Sequence, residues 1–245
     1  MRRTAKSRDR IPAMIPADTE RALDNPAWSC LTTRHAHFAF GGPLARRYQR
    51  AFSPIAALSG AGSAYVAALE ALVEIGDDMG TIGPFPPTLG TNWETLRDSR
   101  LTQMIRTDRS LLPEGGANAA PLCAADVTDM LALVDLTHPG PFRVRTIELG
   151  TYFGIRESGR LVAMAGERMW IGDFRELSAV CTHPDAQGRG YARALMSLLI
   201  NRMLRAGVTP FLHVESSNTR AIKTYHALGF VRRAELPLRH ARRIG

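Results

Sequence analysis

At 245 residues, with 45% hydrophobic and 22% charged side chains, the chain has the composition of a globular protein with a sizeable core, which excludes wholesale disorder. No apolar run approaches the roughly 18–20 residues of a membrane span, and the basic start MRRTAKSRDR lacks the apolar stretch of a secretory signal, so cytoplasmic residence without membrane partners is the expectation. The formal charge of +8 gathers at the ends: residues 1–10 carry +4 and residues 236–245 carry +3, leaving the body near +1. That distribution predicts solvated basic ends, with residues 1–10 a disordered tail, rather than a nucleic-acid-binding face. Cys30, Cys123 and Cys181 are odd in number and widely spaced, which points to neither a disulfide framework nor a metal site.

In chain order, residues 26–38 and the stretch SAYVAALEALVEIG predict two core-facing helices, the second with Tyr65, Val66, Leu69, Leu72 and Val73 on one face. Trp28, His35 and His37 read as ordinary half-buried or surface residues. Pro84, Pro86 and Pro87 break the next segment, which resumes with strand-like character up to Ile105. The run TDRSLLPEGGANAAP, residues 107–121, loses periodicity and collects Pro, Gly, Asn and Ser, the composition of a linker. The expected organisation is an N-terminal α/β domain over residues 11–118 and a C-terminal domain over residues 119–245.

The C-terminal half is better marked. Asp126 is placed to cap a helix through about Leu136, with Val127, Met130, Leu131 and Val134 spaced for burial; THPGPF ends it, and a short helix is expected over residues 146–152. A hairpin turning at Glu157-Ser158-Gly159-Arg160 leads into a strand to Trp170, and RELSAVCT forms a third strand. Next comes VCTHPDAQGRGYARALM, a strand running through two glycines into a helix whose Leu195, Met196, Leu199, Ile200 and Met203 share a face and which Gly207 ends. A helix N-terminus presents unpaired N–H groups and positive dipole, and Gly188 and Gly190 let a phosphate approach them closely, with Arg189 and Arg193 adding charge. The turn matches neither a P-loop nor the dinucleotide fingerprint. After a strand over TPFLHVES, Asn218 caps a helix carrying Ala221, Ile222, Tyr225 and Leu228 on one face, Gly229 closes it, and FVRRAEL forms a last strand.

Residues from about 120 to 236 resemble the GNAT acetyltransferase superfamily. Its acyl-CoA signature, [Q/R]-x-x-G-x-[G/A], matches Gln187-Gly188-Arg189-Gly190-Tyr191-Ala192, and a second, N-x-x-A-x-x-x-Y-x-x-x-G-F, matches Asn218, Ala221, Tyr225, Gly229 and Phe230. The N-terminal half more faintly resembles a degenerate second copy of the fold and carries neither signature. The resemblance implies a mixed α/β fold with a mostly antiparallel sheet and two central strands that splay apart, Glu176 to Thr182 and Phe211 to Glu215. It implies acetyl-CoA as co-substrate, without a metal, its pantetheine held by backbone at Val180, Cys181 and Thr182 and its pyrophosphate by the amides of residues 188–193. Asn218 either caps its helix or also contacts the pantetheine. Tyr225 corresponds to the acid that protonates the leaving thiolate, and Glu176 to a general base; Glu215, His213 or a water chain stand as alternatives.

The implied activity is direct acyl transfer from acetyl-CoA to an amine acceptor, Cys181 lacking a histidine that would make it a nucleophile. The rival reading is a non-catalytic acyl-CoA sensor. The acceptor pocket is expected around residues 138–145, Tyr152 and Trp170, where Arg143, Arg145 and Arg156 are candidates to draw an acidic substrate. Either a monomer or a homodimer is compatible with the sequence.

Overall fold

A computed structural model describes residues 20–113, 115 and 118–245. The tail expected at residues 1–10 lies outside the described residues. Among the described residues eleven strands form one sheet: β1 (Ala39–Gly41), β2 (Ala45–Tyr48), β3 (Ile55–Leu58), β4 (Asp78–Ile82), β5 (Trp93–Ile105), β6 (Ala119–Pro121), β7 (Tyr152–Glu157), β8 (Arg160–Ile171), β9 (Phe174–Thr182), β10 (Thr209–Glu215) and β11 (Val231–Arg243). Across the sheet they run β1-β2-β3-β4-β11-β5-β10-β9-β8-β7-β6, and only the β3/β4 and β9/β10 pairs are parallel. Helices among the described residues include α1 (Pro26–Thr32), α2 (Ser63–Glu70), α3 (Val127–Thr137), α4 (Tyr191–Arg205) and α5 (Thr219–Ala227). This is the mixed, mostly antiparallel architecture expected. No helix among the described residues is long and apolar enough to cross a membrane.

The sheet does not divide where the linker composition would divide the chain. β5, which precedes that linker, lies between β10 and β11, pairing with β10 from Leu101 to Ile105 and with β11 along its length. One apolar core joins Leu23, Leu31, Tyr48 and Phe52 from the first half to Phe174, Phe211 and Leu236 from the second. The connecting loop is itself fastened. Arg106, buried, donates to the Leu228 carbonyl at 2.8 Å, and the Asn201 side chain on α4 exchanges two hydrogen bonds with the Leu112 backbone at 2.8 and 2.9 Å.

Several elements differ from the sequence reading for physical reasons. The first helix ends at Thr32, where Thr33 turns its hydroxyl onto the Ser29 carbonyl, and only a 3₁₀ turn over Ala36–Phe38 follows. The second helix stops at Glu70, short of the expected stretch, and of its expected face only Leu69, and Val73 beyond its end, are fully buried. The basic C-terminal end is a strand: residues 238–243 pair with β5 in β11, where Arg239 and Arg242 meet Asp98 and Glu94 of β5. The expected helix at residues 146–152 is a 3₁₀ turn over Thr146–Leu149, and Tyr152 already opens β7. Asp126 spends its carboxylate on the Cys123 amide and on Arg156 rather than on the first turn of α3.

His35 is buried between α1 and β2, its Nδ1 2.8 Å from the Tyr48 hydroxyl, which in turn touches Cys30 Sγ at 3.4 Å. Desolvation, with nearby His37, pushes its pKa down to about 4. Because the folded value lies below the ordinary 6.5, neutral His35 contributes its full stability above about pH 6.5 and loses it as pH falls towards 4, roughly 3 kcal/mol across that window. Urea unfolding between pH 7 and 4 should show this loss in the wild type and a flatter profile in His35→Phe; parallel profiles would contradict the assignment.

Candidate active site

Parallel pairing of β9 with β10 covers only Phe174 to Glu176 against Thr209 to Phe211. Beyond it β9 stays with β8 and β10 stays with β5, so the two central strands fork. The cause lies in β9. Its register with β8 shifts between the pairs Met164↔Cys181 and Gly166↔Ser178, inserting one extra residue, and Ala179 takes a left-handed φ of 52°. A bulge bends its strand and increases the local twist, and a non-glycine residue held at positive φ stores roughly 1–3 kcal/mol that surrounding packing must offset. Residues 177–182 consequently turn backbone N–H and C=O groups towards β10 without a strand to receive them.

This edge runs into the glycine turn. Gly188 and Gly190 have φ of 79° and 80°, and a Cβ added at either meets nothing within 4 Å, so open space faces the backbone there. Gly190 caps α4, whose Leu195, Met196, Leu199, Ile200 and Met203 are buried as their spacing predicts, each such burial stabilising by roughly 1.5–3 kcal/mol. The open space is a cavity of about 530 Å³ bounded by Val180, Cys181, Thr182, the turn from Gln187 to Arg193, Asn218 and Tyr225. Two observations fit it to the diphosphate and pantetheine of an acyl-CoA: the amides of a helix start converge on it, and Thr182 Oγ1 is buried beside it without a hydrogen-bond partner. Arg189, expected to add charge at the mouth of the turn, is engaged by protein groups instead, its NH2 donating to the Asp185 carbonyl at 3.1 Å. Both its NH1 contacts, at 2.8 and 3.0 Å, go to Glu157 on the β7–β8 hairpin, which also accepts from the Tyr191 hydroxyl at 2.6 Å.

A second cavity, about 640 Å³, shares Val180, Asn218, Ala221, Tyr225 and Thr137 with the first, so the two meet at the fork. Asn218 caps α5, its Oδ1 accepting from the Ala221 amide at 3.0 Å. Tyr225, half-buried, has its pKa pushed up to about 12 by desolvation and is protonated at neutral pH. Cys181 is buried, and desolvation pushes its thiol up to about 11, which leaves little thiolate to act as a nucleophile.

Glu176 sits at the crotch of the fork and is buried. Burial alone would raise its pKa, but the Arg168 guanidinium overcomes that with bonds of 2.8 and 2.7 Å, joined by the Met169 amide at 3.3 Å and His213 Nδ1 at 2.8 Å. The carboxyl is held well below the usual carboxylate range. The tautomer of His213 follows from its other neighbour. Gln103 on β5 takes Arg233 NH1 on its Oε1 at 2.9 Å and gives Nε2 protons to the Leu23 carbonyl at 3.0 Å and to His213 Nε2 at 3.1 Å. His213 Nε2 therefore accepts, and Nδ1 carries the proton given to Glu176.

The walls of the larger cavity come partly from the half without motifs: Ile55, Asp78 and Leu101 line it with residues 138–143. Tyr152 is instead fully buried against Phe142, and Trp170 lies outside, its ring contacted by the guanidinium groups of Arg34 and Arg175. Arg143, Arg145 and Arg156 are already paired, with Asp78, with Glu148, and with Asp126 and Asp129. Sequence reasoning had no signal for Gln103 or Asp78, whose partners lie at least 65 residues away, or for Arg168, which meets Glu176 eight residues on only because β8 and β9 pair.

A family model described as FR47-like protein matches residues 152–237. A solved GNAT-family structure from Novosphingobium aromaticivorans is 32% identical, with a TM-score of 0.83 over 90% of this chain and 98% of that one. A GCN5-related N-acetyltransferase from Kribbella flavida shares the fold at 16% identity, with a TM-score of 0.59 over 90% of this chain and 96% of its own. Among curated proteins, the ribosomal protein bS18-alanine N-acetyltransferase of Escherichia coli K12 is 35% identical over 79 residues, 32% of this chain and 53% of that protein. The chain thus spans about half the length of that relative.

Because Arg168 is buried against Glu176, replacing the carboxylate strands a cation. Glu176→Gln should lower stability by about 3 kcal/mol and Tm by roughly 6–12 °C. A thermal melt reads this, and an unchanged Tm would show that the pair is not what holds the fork.

Proposed function

Because the chain belongs to the GNAT acetyltransferase superfamily, we propose that it transfers the acetyl group of acetyl-CoA to an amine acceptor held in the larger cavity. The observation that carries the reading is the unpaired edge of β9, which leads above its bulge straight into the two-glycine start of α4. In this reading the backbone of Val180, Cys181 and Thr182 takes the pantetheine as a strand would, and an amide there polarises the thioester carbonyl as negative charge develops on it. The amides of residues 188–193 hold the diphosphate, with Gln187, Tyr191 and Ala192 shaping the wall, Arg193 adding charge and Asn218 fixing α5.

Transfer is direct. The amine forms its bond to the acetyl carbon, the C–S bond breaks, and the departing sulfur takes a proton from Tyr225, which remains protonated until then. Glu176 was expected to receive the amine proton. Held as an anion by four donors, it serves in this proposal to fix His213 and the crotch of the fork.

Acceptor basicity bears on the substrate. At pH 7, holding an α-amine of pKa near 8 neutral costs about 1.4 kcal/mol, and a lysine near 10.4 about 4.6 kcal/mol. With Glu176 committed elsewhere, α-amines suit the site better, and the relative named for an alanine nitrogen points the same way.

A thiol-release assay with acetyl-CoA against amino acids, short peptides and N-α-blocked lysine tests this. Release with α-amines should exceed that with the blocked lysine by at least tenfold at pH 7. Tyr225→Phe should lower kcat about a hundredfold with little change in acetyl-CoA affinity. Tight acetyl-CoA binding without release to any amine would make the protein a sensor, and absence of binding would end the reading altogether.

A further inference from the structure

With Glu176 and His213 both occupied, the proton that leaves the attacking amine needs another acceptor, and register places one. From the last parallel pair, Glu176↔Phe211, four residues along each strand reach Val180 at the bulge and Glu215 at the end of β10, each a rise of roughly 13 Å. Glu215 stands across the fork from the edge assigned to the thioester. Side chains alternate along a strand, so Phe211, His213 and Glu215 share one face, the face that carries Glu176, as the His213–Glu176 hydrogen bond shows. The other face is closed: Leu177, Leu212 and Val214 pack in the same core cluster as Leu195 and Leu199 of α4. Tyr225 belongs to that closed side, so acid and base would flank the reacting carbon from opposite faces.

Among the described residues, the Glu215 carboxylate is held through one oxygen only. Arg97 NH2 at 3.0 Å and Ser99 Oγ at 3.2 Å, both from β5, contact Oε1. The side chain lines the larger cavity and is 22% exposed, so Oε2 keeps its lone pairs and an aqueous route. The other titratable groups on the cavity are engaged or peripheral. Asp78 gives Oδ1 to Arg143 and Oδ2 to His240 Nε2, which holds its pKa down at about 2. Glu176 and Arg168 satisfy one another, and Gln103 occupies His213 Nε2. Asp135 and His138, at the end of α3, are exposed at the rim.

We propose that Glu215, anchored through Oε1 by Arg97 and Ser99, accepts on Oε2 the proton of the attacking amine. The inference rests on the acetyltransferase reading above. The nitrogen forms its bond to the acetyl carbon and loses one proton to Glu215. The C–S bond breaks, the sulfur takes the Tyr225 proton, and water returns a proton to Tyr225 and removes one from Glu215. The N-terminal half, through β5, thus orients the proton acceptor of a site whose motifs all lie in the C-terminal half.

The test compares the full-length wild type with Glu215→Gln, Glu215→Ala and His138→Gln, using acetyl-CoA and the best α-amine acceptor found for the wild type. Glu215→Gln should lower kcat/KM for the acceptor at least a hundredfold while the KM for acetyl-CoA stays within twofold. Formate should restore part of the activity of Glu215→Ala. Glu215→Gln keeping wild-type kcat/KM, or His138→Gln losing as much as Glu215→Gln, overturns the proposal. If Glu215→Gln is poorly folded, formate decides, and no rescue of Glu215→Ala counts against Glu215. A wild type inactive with every amine overturns the acetyltransferase reading itself, a separate outcome.

Discussion

Three residues of parallel pairing between β9 and β10, followed by their separation, are the constraint on which the rest of the structure depends. Longer pairing would satisfy every backbone group between the strands and leave nowhere for an extended ligand to lie. The bulge at Ala179 bends β9 away, and the Arg168–Glu176–His213 network holds the point of departure in place. A buried ion pair of this kind adds little net stability over an apolar pair, but it is costly to break on one side only. Its function here is to fix geometry: it fastens β8, β9 and β10 to one another where the ladder stops.

Separation of β9 and β10 leaves β10 in need of a partner on its other side, and β5 supplies it. This explains how the first hundred residues take part in a site whose signatures lie elsewhere. β5 brings Gln103 to His213, and Arg97 and Ser99 to Glu215, while β3 and β4 wall the larger cavity. Removing the N-terminal half would expose the β10 edge and open the cavity, because the halves share one sheet and one core.

Legibility from sequence followed locality. The glycine turn, α4, α5 and the β7–β8 hairpin rest on periodicity, capping and turn residues within about fifteen positions of one another, and they appear where the pattern places them. β1 to β4 are three to five residues long and too short to show an alternation. The basic end read as a tail because the partners of Arg239 and Arg242, Asp98 and Glu94, lie some 140 residues earlier. Glu176 was singled out by the family resemblance, yet its state could not be read, since Arg168 becomes its partner only across the β8–β9 register and His213 only across the fork. The larger cavity was half legible: residues 138–143 line it, whereas its opposite wall carries no motif.

The central claim is that the bare edge of β9 and the turn behind it receive an acyl-CoA. Hydrogen exchange of the full chain with and without acetyl-CoA tests it most directly. Exchange should slow in residues 178–182 and 188–193 and stay unchanged along the β5–β11 ladder. Saturating ligand that leaves those two stretches exchanging as before, or that protects some other part of the sheet instead, would contradict the account.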